Sequence, residues 1–369
     1  MVGITDPRDK NYNCIKIKKE FLVLKKRFAY PTLSELIDNA DIPTYDTGKV
    51  NERYQKLGIH VNDIEAQYAT INMDGEIVFQ TGVEFPNYVY RGQNQDFIPC
   101  IPSIARLKSD KEKFLAFCRN IAFEDALDEH PYVKFCKEQR MNGIPLHINK
   151  QALAQHYGLH TNMLDVTSNF YVACFFASCY WDKKSKSYLP IKKSNDLGVI
   201  YRANPIYFMR DLRKNTFNFV GWQPLTRPAQ QRAGSFTLHK GDCFASLPGI
   251  QKILFKHDEK SSRKIWEMFN QGKNLFPDDP ASKLSIHANE LSLFTKEQIS
   301  RAWRSLEIWE GREFSKRSKK YIQRKSKVKL SLIKPLSWKS FNITSNRNRN
   351  EEKMNKDLNN IKLRMVYKG

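Results

Sequence analysis

No stretch of the sequence approaches the roughly 20 consecutive apolar residues that cross a bilayer. The first residues, MVGITDPRDKNYNC, carry an early acid and no apolar core of the kind a secretory signal needs. A membrane protein is therefore not expected, and the cytoplasm is the expected compartment. Cysteine is sparse. The seven (Cys14, Cys100, Cys118, Cys136, Cys174, Cys179 and Cys243) are odd in number, scattered and never in CxxC spacing. This argues against both a zinc ribbon and a disulfide framework, leaving small apolar fillers in a reducing compartment as their expected role. No Ser or Cys stands in a GxSxG-type turn, which weakens a nucleophile-elbow hydrolase built on His156 and Asp165.

Acidic residues are short in one place. From Gly311 onward there are 18 Lys/Arg against 4 Asp/Glu, a net of +14 within a chain total of +22. Clustered cations with few acids cannot build a core, so 311–369 reads as a tail that is flexible or orders on a polyanion. Nucleic acid, contacted through 312–369, is the expected partner. The competing reading is a solvated tail. The chain as a whole has what a core needs: 369 residues, 41% hydrophobic and 12% aromatic.

The pattern divides the chain into an N-terminal portion of unreadable role (1–70), an α/β core (71–310) and the basic tail (311–369). KNYNCIKIKKEFLVLKK fits a strand or a helix, and TLSELIDNA fits a short helix capped by Thr32. INMDGEIVFQ alternates around Asp74-Gly75, the pair suited to a two-residue hairpin turn. YVYRG predicts a strand at 88–92. Ser109 and Glu112 stand in capping-box spacing before a helix with Phe114, Phe117 and Ile121 on one face, expected to pack on the sheet begun by YVYRG. A helix through NKQALAQHY stops at Gly158; after a polar elbow, Thr167 or Ser168 caps a very apolar helix, FYVACFFASCYW. GVIYRAN and IQKILFKH predict strands, RKIWEMFNQG and KEQISRAWRSLEIWEG helices. The fold class expected is α+β, a mixed, mainly antiparallel sheet with packed helices.

Five motifs, YRGQ at 90–93, IPSIAR at 101–106, QHYGLHTNMLDVTSNFYVACFFA at 155–177, RPAQQRAGSF at 227–236 and NLFPDD at 274–279, together resemble the FRG domain of bacteria and phages. A second, weaker resemblance is to the layout of ADP-ribosyltransferases that use an Arg, a Ser/Thr element and a Glu. It implies an ADP-ribosyltransferase-like fold, NAD as cofactor, and a toxin or phage-defence setting. In that layout Arg91 matches the arginine that holds a dinucleotide phosphate, and Thr167 and Ser168 match the element that supports the nicotinamide ribose. The third position departs: RPAQQRAGSF offers Gln231 where the glutamate would stand, which bears on turnover more than on dinucleotide binding.

The candidate residues follow. Arg91, His156 and Gln231 are the catalytic candidates; Arg91, Tyr90, Gln155, Thr167, Ser168 and Arg227 are the NAD or nucleotide-binding ones; no metal is expected. Arg91, beside Gly92, suits a bidentate grip on phosphate, or else an ion pair with Asp165 or Glu124. His156 and His160 stand four apart but Gly158 breaks the helix between them, so His156 reads better as an orienting or acid–base group, or as a helix-end histidine bonded to backbone. Asp165 reads as a buried clamp partnered by Arg91, Arg106 or backbone N–H groups. Thr167 and Ser168 could cap the next helix or offer its N-terminus to an anion. Glu124 could supply the missing carboxylate or be a solvated surface residue. Gln231, Arg232 and Gly234 with Arg227 form a second polar cluster, or simply a surface loop. The alternative to a nucleotide-binding enzyme is a non-catalytic nucleic-acid-binding module in which Arg91 and Asp165 are structural.

Overall fold

A computed structural model describes residues 30–39, 67–71, 75–81 and 88–341, except 139, 142, 193, 210–216, 221–224, 278 and 279. The segments expected at 10–26 and 342–369 lie outside the described residues. Six strands form the central sheet: β1 (Val89–Gln93), β2 (Met163–Thr167), β3 (Leu197–Ala203), β4 (Phe217–Phe219), β5 (Ala233–Thr237) and β6 (Ile250–Lys256). They run in the order β4-β5-β2-β1-β3-β6, every pairing antiparallel. The helices used below are α1 (Leu33–Asn39), α2 (Asp110–Leu127), α3 (Lys150–His156), α4 (Phe170–Ser178), α5 (Thr226–Gln230), α6 (Glu259–Met268), α7 (Pro280–Glu290), α8 (Lys296–Glu310) and α9 (Lys316–Lys325). The class is the α+β expected.

Strand alternation splits the sheet into two faces. Val89, Leu164, Val166, Tyr201, Phe217 and Phe236 fill one core. Tyr90, Ile200 and Phe255 face the other side, against Val172, Ala173 and Phe175 of α4. That helix lies directly on β1. A Cβ on Gly92 would fall 1.8 Å from the carbonyl oxygen of Ala173 and 2.8 Å from the amide nitrogen of Ala177. The glycine of the Tyr-Arg-Gly strand is therefore required by a helix backbone, where the sequence suggested a close-approaching ligand.

Several local expectations need correction. The sheet is not covered by α2, which packs into a helical layer: Phe114 stacks on Trp303 of α8 at 4.0 Å, and Ile121 and Leu306 share the cluster. α4 covers the sheet instead because it is apolar on nearly every side and meets Gly92 at its small residues Ala173 and Ala177. Its cap is neither Thr167 nor Ser168 but Asn169, whose Oδ1 accepts from the N–H groups of Tyr171 (2.9 Å) and Val172 (3.4 Å). Thr167 cannot act as the cap because it still belongs to β2. The apolar pattern that ran on through CYW ends at Ser178, and Cys179–Asp182 pairs with Ser187–Pro190 as a hairpin. In the 67–81 hairpin the last pair is Ile71 with Ile77, so the connection has five residues rather than two; Gly75 takes φ +76°.

Both flanks of the core dock onto it. Leu33 of α1 is buried against the α4 side, and the Lys256 N–H donates to Pro31 O at 2.8 Å; Thr32 is the cap expected, and Glu35 bonds back to its N–H. Of the basic segment, 311–341 is folded. Phe314, Ile322 and Val328 join the α2–α8 cluster, Lys319 pairs with Glu307 at 2.8 Å, and Gly311 ends α8 in the left-handed region at φ +65°. The cations of α9 face outward: Lys316, Arg317, Lys320, Arg324 and Lys325 are exposed.

Candidate functional site

The sequence from Lys150 to Ser178 is a helix, a strand and a second helix, not two helices joined by an elbow. Gly158, at φ +86°, turns the chain out of α3. Gln155 fastens that turn, its Oε1 accepting from Thr161 Oγ1 at 2.5 Å and, more weakly, from Ser103 Oγ at 3.5 Å. β2 then runs between β5 and β1 with Met163, Asp165 and Thr167 on the α4 side, since Thr167 stands directly opposite Tyr90 and Ser235 directly opposite Asp165.

His156, at the end of α3, is 8% exposed and reaches this strand. Gln231 Nε2 donates to Leu275 O at 3.0 Å, which turns its Oε1 toward His156 Nδ1 at 3.2 Å. An amide oxygen only accepts, so in the neutral imidazole the ring proton sits on Nδ1, with the glutamine setting the tautomer and Nε2 left as an acceptor. His156 Nε2 is then left 3.6 Å from Asp165 Oδ1, beyond hydrogen-bond reach. Among the described residues neither atom has a hydrogen-bond partner, nor does Ser235 Oγ on the adjacent strand. These three unsatisfied polar groups, one at the end of α3 and two on the adjacent strands β2 and β5, each cost about 1–3 kcal/mol when buried. Asp165 is the accessible member, its side chain 34% exposed against 2% for His156.

Arg227 holds the histidine from behind. Its Nη1 donates to His156 O at 2.9 Å, its Nη2 to Ser282 Oγ at 2.8 Å, and its guanidinium lies 4.5 Å above the Tyr157 ring. It satisfies a carbonyl at the end of α3 that the helix itself leaves open. Thr167 Oγ1 accepts from the Asn169 N–H at 3.0 Å, and the Ser168 N–H donates to Arg232 O at 3.0 Å, so both tie the end of β2 to its neighbours.

Arg91 lies on the opposite face from this cluster, alternating with Tyr90 along β1. Among the described pairings, β1 and β2 meet only at Tyr90–Thr167. Where they part, Arg91 Nη1 takes the place of a strand N–H and donates to Asp165 O at 2.6 Å. Asp165 is thus partnered by Arg91 through its carbonyl and faces His156 through its carboxyl. Tyr90 is 4% exposed, its ring edge-on to Phe170 at 5.3 Å. Glu124 belongs elsewhere, half-buried on α2 with Arg301 at 3.9 Å. His160 is exposed and its carbonyl accepts from Asn120 Nδ2 at 2.6 Å, so the two histidines do not converge. Among the described residues no three His, Cys, Asp or Glu are grouped to hold a metal, and no helix is long and apolar enough to cross a membrane. The six described cysteines are free and buried.

The structure therefore gathers His156, Gln231, Asp165 and Thr167 at β2, holds Arg227 behind them, and sends Arg91, Tyr90 and Gln155 to other contacts. Sequence reasoning passed over Ser235 and underweighted Asp165 against His156. The alternation Ala-Gly-Ser-Phe-Thr, small and polar against aromatic, is the signal that 233–237 is a strand that would bring Ser235 to the same face.

Fold and site define an α+β protein with a buried polar cluster on the helix-covered face of an antiparallel sheet. Within it, residues 86–186 match the family model of the FRG domain. The match holds Arg91, His156, Asp165 and the α4 helix; the 227–236 and 274–279 motifs lie beyond it. No curated protein and no solved structure matches the chain.

Proposed function

We propose that the FRG domain of this protein recognises a nucleotide, with the ribose of an NAD- or ADP-ribose-like ligand received by Asp165 and His156. One observation supports the reading most: two hydrogen-bond acceptors, His156 Nε2 and Asp165 Oδ1, face each other at 3.6 Å without a donor, in a tautomer fixed by Gln231. Such a pair calls for a hydroxyl, and a vicinal diol supplies two. The same pair has the chemistry of a general base: Nε2 takes a proton from a hydroxyl or water, and the neighbouring carboxylate stabilises the imidazolium that forms. ADP-ribosyl transfer or NAD hydrolysis, in a cytoplasmic toxin or phage-defence effector, is the finer form of the proposal. Arg91 contributes by fixing Asp165 O and with it the strand that presents the carboxyl. Calorimetry with NAD and ADP-ribose tests it. Binding that falls about tenfold or more in Asp165→Asn, where a charged acceptor is lost, supports the reading; a folded wild-type chain that takes up neither ligand overturns it.

A second reading, nucleic-acid binding, is favoured by α9, whose outward cations Lys316, Arg317, Lys320, Arg324 and Lys325 are exposed on a docked helix. It predicts affinity that falls linearly in log–log with salt and weakens when these charges are reversed.

A further inference from the structure

Residues of α2 and α8 and of the 239–240 turn line a cleft of about 750 Å³, the size of small-molecule sites in general. Phe117 and Ile121 from α2 and Ile308 and Trp309 from α8 give it apolar walls. Arg304, Lys240 and His239 stand exposed at its rim. Lys240 pairs with Glu310, while Arg304 makes no ion pair among the described residues. Two wall residues carry buried polar atoms with no partner among the described residues: Asn120 Oδ1, on a side chain 4% exposed, and Trp309 Nε1, on one 7% exposed. One is an acceptor and the other a donor. Gly311 also lines the cleft, and the basic helix α9 begins five residues later, so cleft and cationic helix are continuous along the chain.

Resting on the nucleic-acid reading of α9, we infer that this cleft takes the base of an unpaired nucleotide, its phosphate lying on Arg304 and Lys240. An aromatic and aliphatic slot suits a base whatever its sequence, because every base has a π-face. The acceptor and donor on Asn120 and Trp309 suit the amide-type edge a base exposes once unpaired. Rim cations suit a phosphodiester, and the cations of α9 follow five residues after the cleft along the chain. A duplex hides the base edges and stacks the faces, so the site discriminates by strandedness rather than by sequence. Burial holds the Glu124 carboxyl on the same wall at about 7, so near neutral pH it carries only part of a charge against an incoming phosphate.

The test is fluorescence anisotropy of a labelled ten-nucleotide strand, its duplex and an abasic strand, on the full-length chain. Variants are Ser305→Trp, which fills the cleft and leaves its charge, Arg304→Glu, and Lys316→Glu with Lys320→Glu, each checked for an unchanged melting curve. The inference expects the intact strand to bind tighter than the abasic strand or duplex. It expects Ser305→Trp to erase that preference, at a loss of roughly 5- to 150-fold, the worth of one stacked base. AMP displacing the strand at equal affinity identifies a free nucleotide as the natural source; a strand that outbinds AMP identifies nucleic acid. Equal binding of strand, abasic strand and duplex, or a Ser305→Trp protein that binds as wild type, overturns the site. Loss only in the α9 variant leaves the helix reading standing and removes the cleft.

Discussion

Replacing Gly92 by alanine tests how the FRG strand and helix are joined. The added methyl carbon would sit 1.8 Å from Ala173 O and 2.8 Å from both Ala173 C and Ala177 N. A carbon–oxygen contact is tolerated only beyond about 3.3 Å, so strand and helix must separate by roughly 1.5 Å. The obstructing atoms are helix backbone and cannot turn aside as a side chain would. Overpacking costs about 1–3 kcal/mol where side chains can adjust and more where they cannot, so about 3 kcal/mol or more is expected here. At about 2–4 °C per kcal/mol, the melting temperature should fall by about 6–12 °C. Gly158→Ala is the control: nothing lies within 4 Å of its added carbon, and the backbone at φ +86° costs only about 1–2 kcal/mol. Thermal unfolding followed by circular dichroism measures both. A Gly92→Ala protein melting within 2 °C of wild type, or no lower than Gly158→Ala, would refute the claim that α4 rests on β1 through this glycine.

Asn169→Ala removes the cap of α4 and should cost about 1 kcal/mol, whereas Ser168→Ala, with no capping bond, should cost a few tenths; chemical denaturation separates them. Burial, offset in part by Lys150 and Arg301, raises the Glu124 carboxyl from 4.5 to about 7. Across that interval the folded chain holds a proton the unfolded chain has released, so this group makes stability fall as pH rises. Glu124→Gln should remove the fall and leave the variant more stable above pH 7 by on the order of 2–3 kcal/mol; identical pH profiles would count against it. Ending the chain at 312 should destabilise the core and lower the melting temperature, because Phe314, Ile322 and Val328 leave the α2–α8 cluster. Arg227→Ala should leave His156 O without its donor and lower nucleotide affinity with little change in fold, read by calorimetry beside thermal melting.

The elements with strong local chemistry were legible in the sequence. Glu112 accepts from the Ser109 N–H at 3.0 Å, Thr295 and Gln298 cap α8, and Gly158 and Gly311 end their helices at positive φ, all of it set by neighbours within a turn. What was hidden depends on contacts far along the chain. MLDVT carries a polar residue among apolar ones and reads as a loop; it is a strand because β1 and β5, more than 60 residues away on either side, pair with it. Which face α2 buries could not be read from Phe114 and Phe117, since sheet and α8 offer the same apolar partner. The basic segment is folded over 311–341 because Ile322, with Phe314 and Val328 on either side of α9, suffices to dock a helix whose charges stay in water. The site was half legible: the residue types at 155–168 and 227–234 pointed to it, but only the sheet register shows that Asp165 and Ser235 face His156 while Arg91 does not.

The most direct test of the central claim is a calorimetric titration of ADP-ribose into the wild-type chain and into Asp165→Asn and Gln231→Ala, at matched melting temperature. The account predicts saturable binding to wild type, weakened about tenfold or more in both variants, through loss of the acceptor in one and of the fixed histidine tautomer in the other. Binding of equal strength in all three proteins would contradict it.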